Sequence, residues 1–217
     1  MPKAVQQRRS YNSPRRAEQA AATRGAIVDA AQRLFERDGY AATSMASIAK
    51  EAGVALKTVY LAFETKSGLL RALWHARLRG DEGAAPVGER DWYRRVLDEP
   101  DPVRQLQLNA RNSREVKARA GALMEVIRSG ARADADVAGL WHSIQTQFHD
   151  NQRAIVKSLH AKKALARGLG VERATDVLWT LNHPDVYTLL VSERGWSPKQ
   201  YEKWLADSTA AQLLRQQ

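Results

Sequence analysis

The stretch TSMASIAKEAGVALKTVYLAFETKSGLL, residues 43–70, decides the fold of this chain. Thr43 is placed to cap a helix with its side-chain oxygen. Met45, Ile48 and Ala49 give that helix a short apolar face, and Gly53 closes it after about two turns. A second short helix spans about Ala55 to Phe63, with Val59 and Phe63 at i, i+4. Thr65-Lys66-Ser67 then opens a third helix carrying Leu69, Leu70, Leu73, Trp74 and Leu78. Two short helices joined by a turn at Gly53 can place the second in a major groove while the first crosses the backbone. A helix this short is unstable alone, so Val59 and Phe63 must dock on its neighbour. The opposite face then carries Leu56, Lys57, Thr58, Tyr60 and Leu61. Lys57 suits guanine acceptors or a phosphate, and Leu56 or Leu61 suits a thymine methyl. Thr43, Thr58, Tyr60 and Lys66 offer donors of the kind that position a protein on phosphates.

Working outward, Ile27, Ala30, Ala31, Leu34 and Phe35 recur on one face of a preceding helix. That helix is predicted to start at Ser13-Pro14, with Pro at N1, and to end at Asp38-Gly39. Downstream, residues 80–90 (GDEGAAPVGER) combine glycine, alanine and one proline, the composition of a joint. Beyond it, Pro102 opens a helical stretch with Val103 and Leu106, and Leu123, Met124 and Ile127 mark another that stops near Gly130. Val137, Leu140, Trp141, Ile144, Phe148, Ile155 and Leu159 predict a long helix from Asp134 to about Gly168 or Gly170. Ala174, Leu178 and Leu181 form the next, broken at His183-Pro184, and a further helix runs from Pro184 to Gly195. Ser197-Pro198-Lys199-Gln200 is an S-x-x-Q capping box, with Trp196 and Tyr201 in the positions of a hydrophobic staple. No stretch reads as a strand, so the fold class is all-α.

Charge separates the chain into two parts. Residues 1–80 carry 14 Lys/Arg against 6 Asp/Glu, and the remainder 20 against 18, so nearly all of the +10 lies in the first third. A basic lobe joined to a near-neutral one suits a polyanionic partner for the first and another role for the second. Five of those cations precede residue 17. Arg8, Arg9, Arg15 and Arg16 therefore form a basic arm that could track phosphates or enter a minor groove. With no cysteine, disulfides and thiolate sites are excluded. The histidines are scattered, His142 and His149 standing i, i+7, so neither a metal nor another cofactor is expected. No apolar run reaches the length of a membrane span and the N-terminus lacks an apolar signal core, which suits a cytoplasmic location. No nucleophile elbow, phosphate loop or HExxH pattern occurs, so no enzymatic activity is expected.

Thr43, Ser44, Ile48, Ala49, Gly53, Val54, Thr58, Val59, Tyr60, Phe63, Lys66, Leu69 and Leu70, preceded by the Ala30–Tyr40 pattern, resemble the TetR family of transcriptional regulators over about residues 17–79. In one respect the chain departs from the family: Ala55 stands where a capping residue usually opens the recognition helix. The resemblance implies a basic arm (1–14), a three-helix DNA-binding domain (15–79) and a helical effector-binding and dimerisation domain (80–217). It adds Ser44 to the DNA-contact set. It further implies a homodimer through the last two helices, about 171–193 and 197–214, on pseudo-palindromic operator DNA, and a repressor released by an unknown small-molecule effector. Met124, Trp141, Phe148, Trp179 and Tyr187 are the candidate lining of the effector pocket, although helical spacing equally makes them core. Two alternatives remain. One is a DNA-binding regulator without an effector; the other is a helical ligand-binding or enzymatic protein with an incidental basic lobe.

Overall fold

A computed structural model describes residues 14–79 and 87–215. Among these the chain is helical, apart from one antiparallel bridge between Leu165 and Leu214. Helices α1 (Pro14–Ala42), α2 (Met45–Glu51), α3 (Leu56–Phe63) and α4 (Lys66–Arg79) come first. A single 3₁₀ turn (Val87–Glu89) leads to α5 (Asp91–Asp98), α6 (Pro102–Gly130) and α7 (Ala135–Ala161). Then follow α8 (Val171–Leu181), α9 (Pro184–Tyr187), which continues as a π-helical turn (Thr188–Glu193), and α10 (Pro198–Leu213).

The all-α expectation holds, with several boundaries moved. The helical assignment of α1 extends past Gly39 to Ala42, but Gly39 itself (φ 79°, ψ 169°) breaks the helical path there. Ser13, the expected cap of α1, and the glycine-rich part of the joint at 80–86 lie outside the described residues. The two stretches expected between Pro102 and Gly130 are one helix, capped by Asp101, whose carboxylate accepts from Val103 N (2.8 Å) and Arg104 N (3.4 Å). Helix α7 stops at Ala161 rather than near Gly168, because Lys163 (φ 55°) turns the chain so that Leu165 can pair with Leu214. Helix α5 was not anticipated: eight residues give too few turns for a 3.6-residue period to stand out. The Ser197–Gln200 capping box is present in both directions. Its flanking aromatics, however, pack differently from a staple: Trp196 meets Trp204, while Tyr201 is buried against Tyr187 and Trp204.

Three apolar clusters hold these helices. The first joins Ile27 and Phe35 of α1, Ile48 of α2, Val59 and Phe63 of α3 and Trp74 of α4 to Leu123 and Ile127 of α6 and Leu140 of α7. The core therefore runs without interruption across the expected joint. A second gathers Tyr93, Val96, Leu106, Ile155, Leu159, Leu178 and Leu213, and a third centres on Tyr201, Leu205 and Ala206. The shared first cluster fixes the helix-turn-helix directly on the ends of α6 and α7.

Candidate DNA-binding surface and ligand cavity

The turn between α2 and α3 forms because Gly53 adopts φ 67°, a left-handed conformation that costs a β-carbon-bearing residue energy. The cap of α2 is Ser44, not Thr43. Ser44 and Ser47 exchange backbone-to-hydroxyl bonds at 3.0 Å in each direction. Thr43 is only 2% exposed and its hydroxyl donates to Gly39 O (2.8 Å). The expectation that Thr43 presents a donor outward is therefore corrected: its hydroxyl closes the kink at the end of α1.

Helix α3 buries Val59 and Phe63, as its spacing requires. Its N-cap, Ala55, makes no side-chain cap, whereas its last turn is held from α1. Arg24 Nη1 donates to Ala62 O (2.6 Å), and the guanidinium stands 4.0 Å over the Phe63 ring. The outward face carries exposed Lys57 beside Leu56 (41% exposed), Tyr60 (48%) and Leu61 (77%), with Thr58 half-buried. Among the described residues only Val103 and Leu189 join these three as exposed large hydrophobics. Three of these five thus lie on one eight-residue helix. We expect Ala55→Ser to stabilise the protein by about 0.5–1 kcal/mol by giving α3 a cap. Urea denaturation would read this, and an unchanged midpoint would mean that the first N–H groups of α3 gain nothing from a side-chain acceptor.

Lys66 also departs from its expected role. Its Nζ turns inward, donating to Tyr40 O (2.8 Å) and Thr43 O (2.9 Å) and standing 4.1 Å over the Tyr40 ring. Desolvation lowers its pKa, partly offset by the Asp134 carboxylate. Two backbone acceptors and the Tyr40 ring leave this ammonium tying α4 to the end of α1 rather than facing a phosphate. Tyr40 OH in turn donates to Asp134 Oδ2 (2.5 Å), and Ser67 Oγ lies 3.1 Å from Asp136 Oδ2. Two carboxylates at the α6–α7 turn are thus bonded to the start of α4 and the end of α1.

Behind this junction lies a cavity of about 110 Å³ between α4, α5, α6 and α7. Met124 and Phe148, both expected, line it. Trp141 and Tyr187 line instead a smaller space of about 20 Å³ on the other side of Lys117 and Met124. Trp179 lines neither. It packs on His183 (5.0 Å between ring centroids) and His149 (6.3 Å), with its buried Nε1 unpartnered. Trp179 thus meets His149 of α7 and His183 at the start of α9 instead of a cavity.

Sequence reading missed Trp74, Trp92, Tyr93, Gln145, Gln152 and Lys117 in the wall. A signal for Lys117 did exist: it occupies the stripe Leu106, Ala110, Ser113, Lys117, Ala120, Met124, Ile127, spaced 4-3-4-3-4-3 along α6. Lys117 is 5% exposed. It donates to Asn182 O, Asn182 Oδ1 and Tyr201 OH, each at 2.6 Å. Burial pushes its pKa well below the ordinary 10.5. A lysine depressed only in the folded state binds fewer protons there than when unfolded, so folding gains stability as pH rises toward the unfolded value. Wild-type stability relative to Lys117→Met is therefore expected to increase as pH rises toward the unfolded lysine value of about 10.4 in chemical denaturation. A flat or falling difference would contradict the burial of this charge. Among the described residues no His/Cys/Asp/Glu group is arranged to hold a metal, and no helix is long and apolar enough to cross a membrane.

A three-helix unit that buries one face of a short helix and exposes the other as a mixed apolar and basic surface defines a helix-turn-helix transcriptional regulator. The family model for bacterial regulatory proteins of the tetR family matches residues 27–73. The probable HTH-type transcriptional regulator ArpR of Pseudomonas putida is 30% identical over 165 residues, 72% of this chain and 75% of that one. The chain belongs to the TetR family. Among solved structures, NalD of Pseudomonas aeruginosa, the secondary repressor of the MexAB-OprM multidrug efflux pump, superposes with a TM-score of 0.72 at 20% identity, covering 92% of this chain and all of NalD. SmeT in complex with triclosan superposes at 0.70 and 21% identity, covering 89% and 92%. At these identities the two structures speak to the fold.

Proposed function

We propose that this protein is a ligand-responsive repressor that binds a pseudo-palindromic operator as a homodimer. The observation that carries the DNA-binding half is the outward face of α3. Leu56, Lys57, Thr58, Tyr60 and Leu61 would face the groove, with Ser44 at the start of α2 near a phosphate. Leu61 and Tyr60 lie on the exposed side of a helix anchored by Val59 and Phe63 and have no folding role there, which supports a reading face. Two copies would pair through the outer sides of α8 and α10, presenting their α3 helices about 34–36 Å apart, one turn of duplex. Residues 15–79 would act as the DNA-binding unit, preceded by the basic arm of 1–14, and 80–217 as the effector and dimerisation unit. The protein would work in the cytoplasm and carry out no enzymatic step.

The cavity favours effector control over a regulator without a small molecule. It lies against α4 and α6, and the same two helices share the first core cluster with α1–α3. An occupant that moved α4 or α6 would shift the two α3 helices relative to each other and lower DNA affinity by population shift. SmeT, similar in fold, has been solved with the small molecule triclosan. The test is a mobility shift with DNA from upstream of the protein's own gene, in moderate salt, with and without a small-molecule library. Retarded DNA bound as a dimer and released by at least one compound is the expected result. Binding no tighter than to unrelated duplex would overturn the operator reading, and silence across a broad library would overturn the effector half alone.

A further inference from the structure

Lys117 stands in the wall between the main cavity and its smaller neighbour. All three ligands of its ammonium are neutral oxygens, from Asn182 and Tyr201. Among the described residues no carboxylate pairs with it. Glu202 is held by Arg114 and Lys199, Asp185 by Arg128, and Glu115 by Arg111 and Arg114. Among the described residues the cavity wall contains no Asp, Glu, Arg or His, so Lys117 is the one potential formal charge among them near neutral pH. The rest of the wall is aromatic and aliphatic (Trp74, Trp92, Phe148, Met124) or amide. Gln145 contributes an Oε1 that is buried and has no partner. A buried cation held by neutral dipoles alone is expensive, and a group with negative charge in the adjoining space would repay that cost.

We propose that the cavity takes an amphipathic monoanion, an apolar carboxylate whose acid group lies against Lys117 and whose body fills the aromatic part of the wall. This rests on the reading of the cavity as the effector site. The charge selects acids over their neutral or cationic analogues, since no carboxylate among the described wall residues offsets a second cation. It also couples occupancy to the fold. Lys117 ties α6 to Asn182 at the end of α8 and to Tyr201 of α10, and Asn182 Nδ2 continues to Ser113 Oγ (2.9 Å) and Gln152 Oε1 (3.2 Å). An anion that draws the ammonium toward the cavity weakens this knot at the point where α6, α7, α8 and α10 meet.

The experiment compares 2-naphthoate and 4-phenylbutanoate with their primary amides, using calorimetry on the full-length protein and on Lys117→Met. The acids are expected to bind wild type at least tenfold more tightly than the amides, with that preference lost in Lys117→Met. Should Lys117→Met fail to fold, the acid-against-amide ratio in wild type decides by itself. Amides that bind wild type as well as the acids do would overturn the proposal. So would the absence of binding by all four probes. In either case a neutral compound that releases operator DNA would leave the effector reading standing, and only silence of the whole library would remove both.

Discussion

Replacing both Lys57 and Tyr60 with alanine is expected to weaken operator binding at least about 100-fold while leaving the unfolding midpoint nearly unchanged. Each lost contact to a base or phosphate costs about 1–3 kcal/mol, and a symmetric dimer loses it in both half-sites. Both side chains are exposed on α3, and neither belongs to an apolar cluster, so stability should move by no more than about 0.5 kcal/mol. Losing Lys57 should also flatten the dependence of affinity on salt, since fewer counterions are released. Mobility shifts at two salt concentrations, beside a denaturation curve, read both quantities. Equal binding by wild type and the double variant would sink the assignment of α3 as the reading helix. Lys66→Ala makes an instructive contrast. Its ammonium is committed to Tyr40 O and Thr43 O, so it should lose stability and DNA affinity together.

The second large effect is expected at Gly130, the last residue of α6. A β-carbon there would lie 3.0 Å from both Cβ and Cγ of Tyr40. Tyr40 has no room to retreat: its ring stacks on Phe35 (5.7 Å), its hydroxyl is bonded to Asp134, and its carbonyl holds Lys66. Gly130→Val should therefore cost about 1–3 kcal/mol by overpacking, and more damage should appear in DNA binding than in secondary structure. The strain falls where the end of α1 meets the end of α6, so it shifts the helix-turn-helix relative to the rest of the protein. Denaturation and operator titration of Gly130→Val, Tyr40→Ala and the double variant form a cycle. In the double variant the two costs should be partly non-additive, since truncating Tyr40 removes the ring carbons that crowd the valine and leaves only the β-carbon in place. Additive costs, or a fully stable Gly130→Val that binds DNA normally, would show that this contact does not position the DNA-binding unit.

The α2–turn–α3 segment was readable in the sequence because its information is local. Val59 and Phe63 four apart, a glycine in the turn and exposed apolar residues on the far side of α3 need no distant partner to be interpreted. The capping box at Ser197–Gln200 and the missing cap at Ala55 were readable for the same reason: a cap involves neighbours within three residues. What failed was the choice between adjacent or equivalent candidates. Thr43 and Ser44 are both good caps by residue type, and only the kink at Gly39, which offers its carbonyl to Thr43 Oγ1, leaves Ser44 to cap α2. Trp179 and Phe148 both sit on inward faces, but what each meets depends on the helix opposite.

The sequence by itself therefore determined an all-helical chain, a basic first third and a short second helix of a helix-turn-helix with Lys57 and Tyr60 on its free side. These follow from periodicity, charge and capping, which act over a few residues. Only the tertiary structure decided that Lys66 faces inward, that Tyr40 wedges against Gly130 and Asp134, and that Lys117 is a buried cation at a cavity. Each of those depends on groups 23 to 94 positions apart in the chain. A lysine's role, packing ion or phosphate donor, is set by what surrounds its ammonium, and that environment is assembled only when the helices pack.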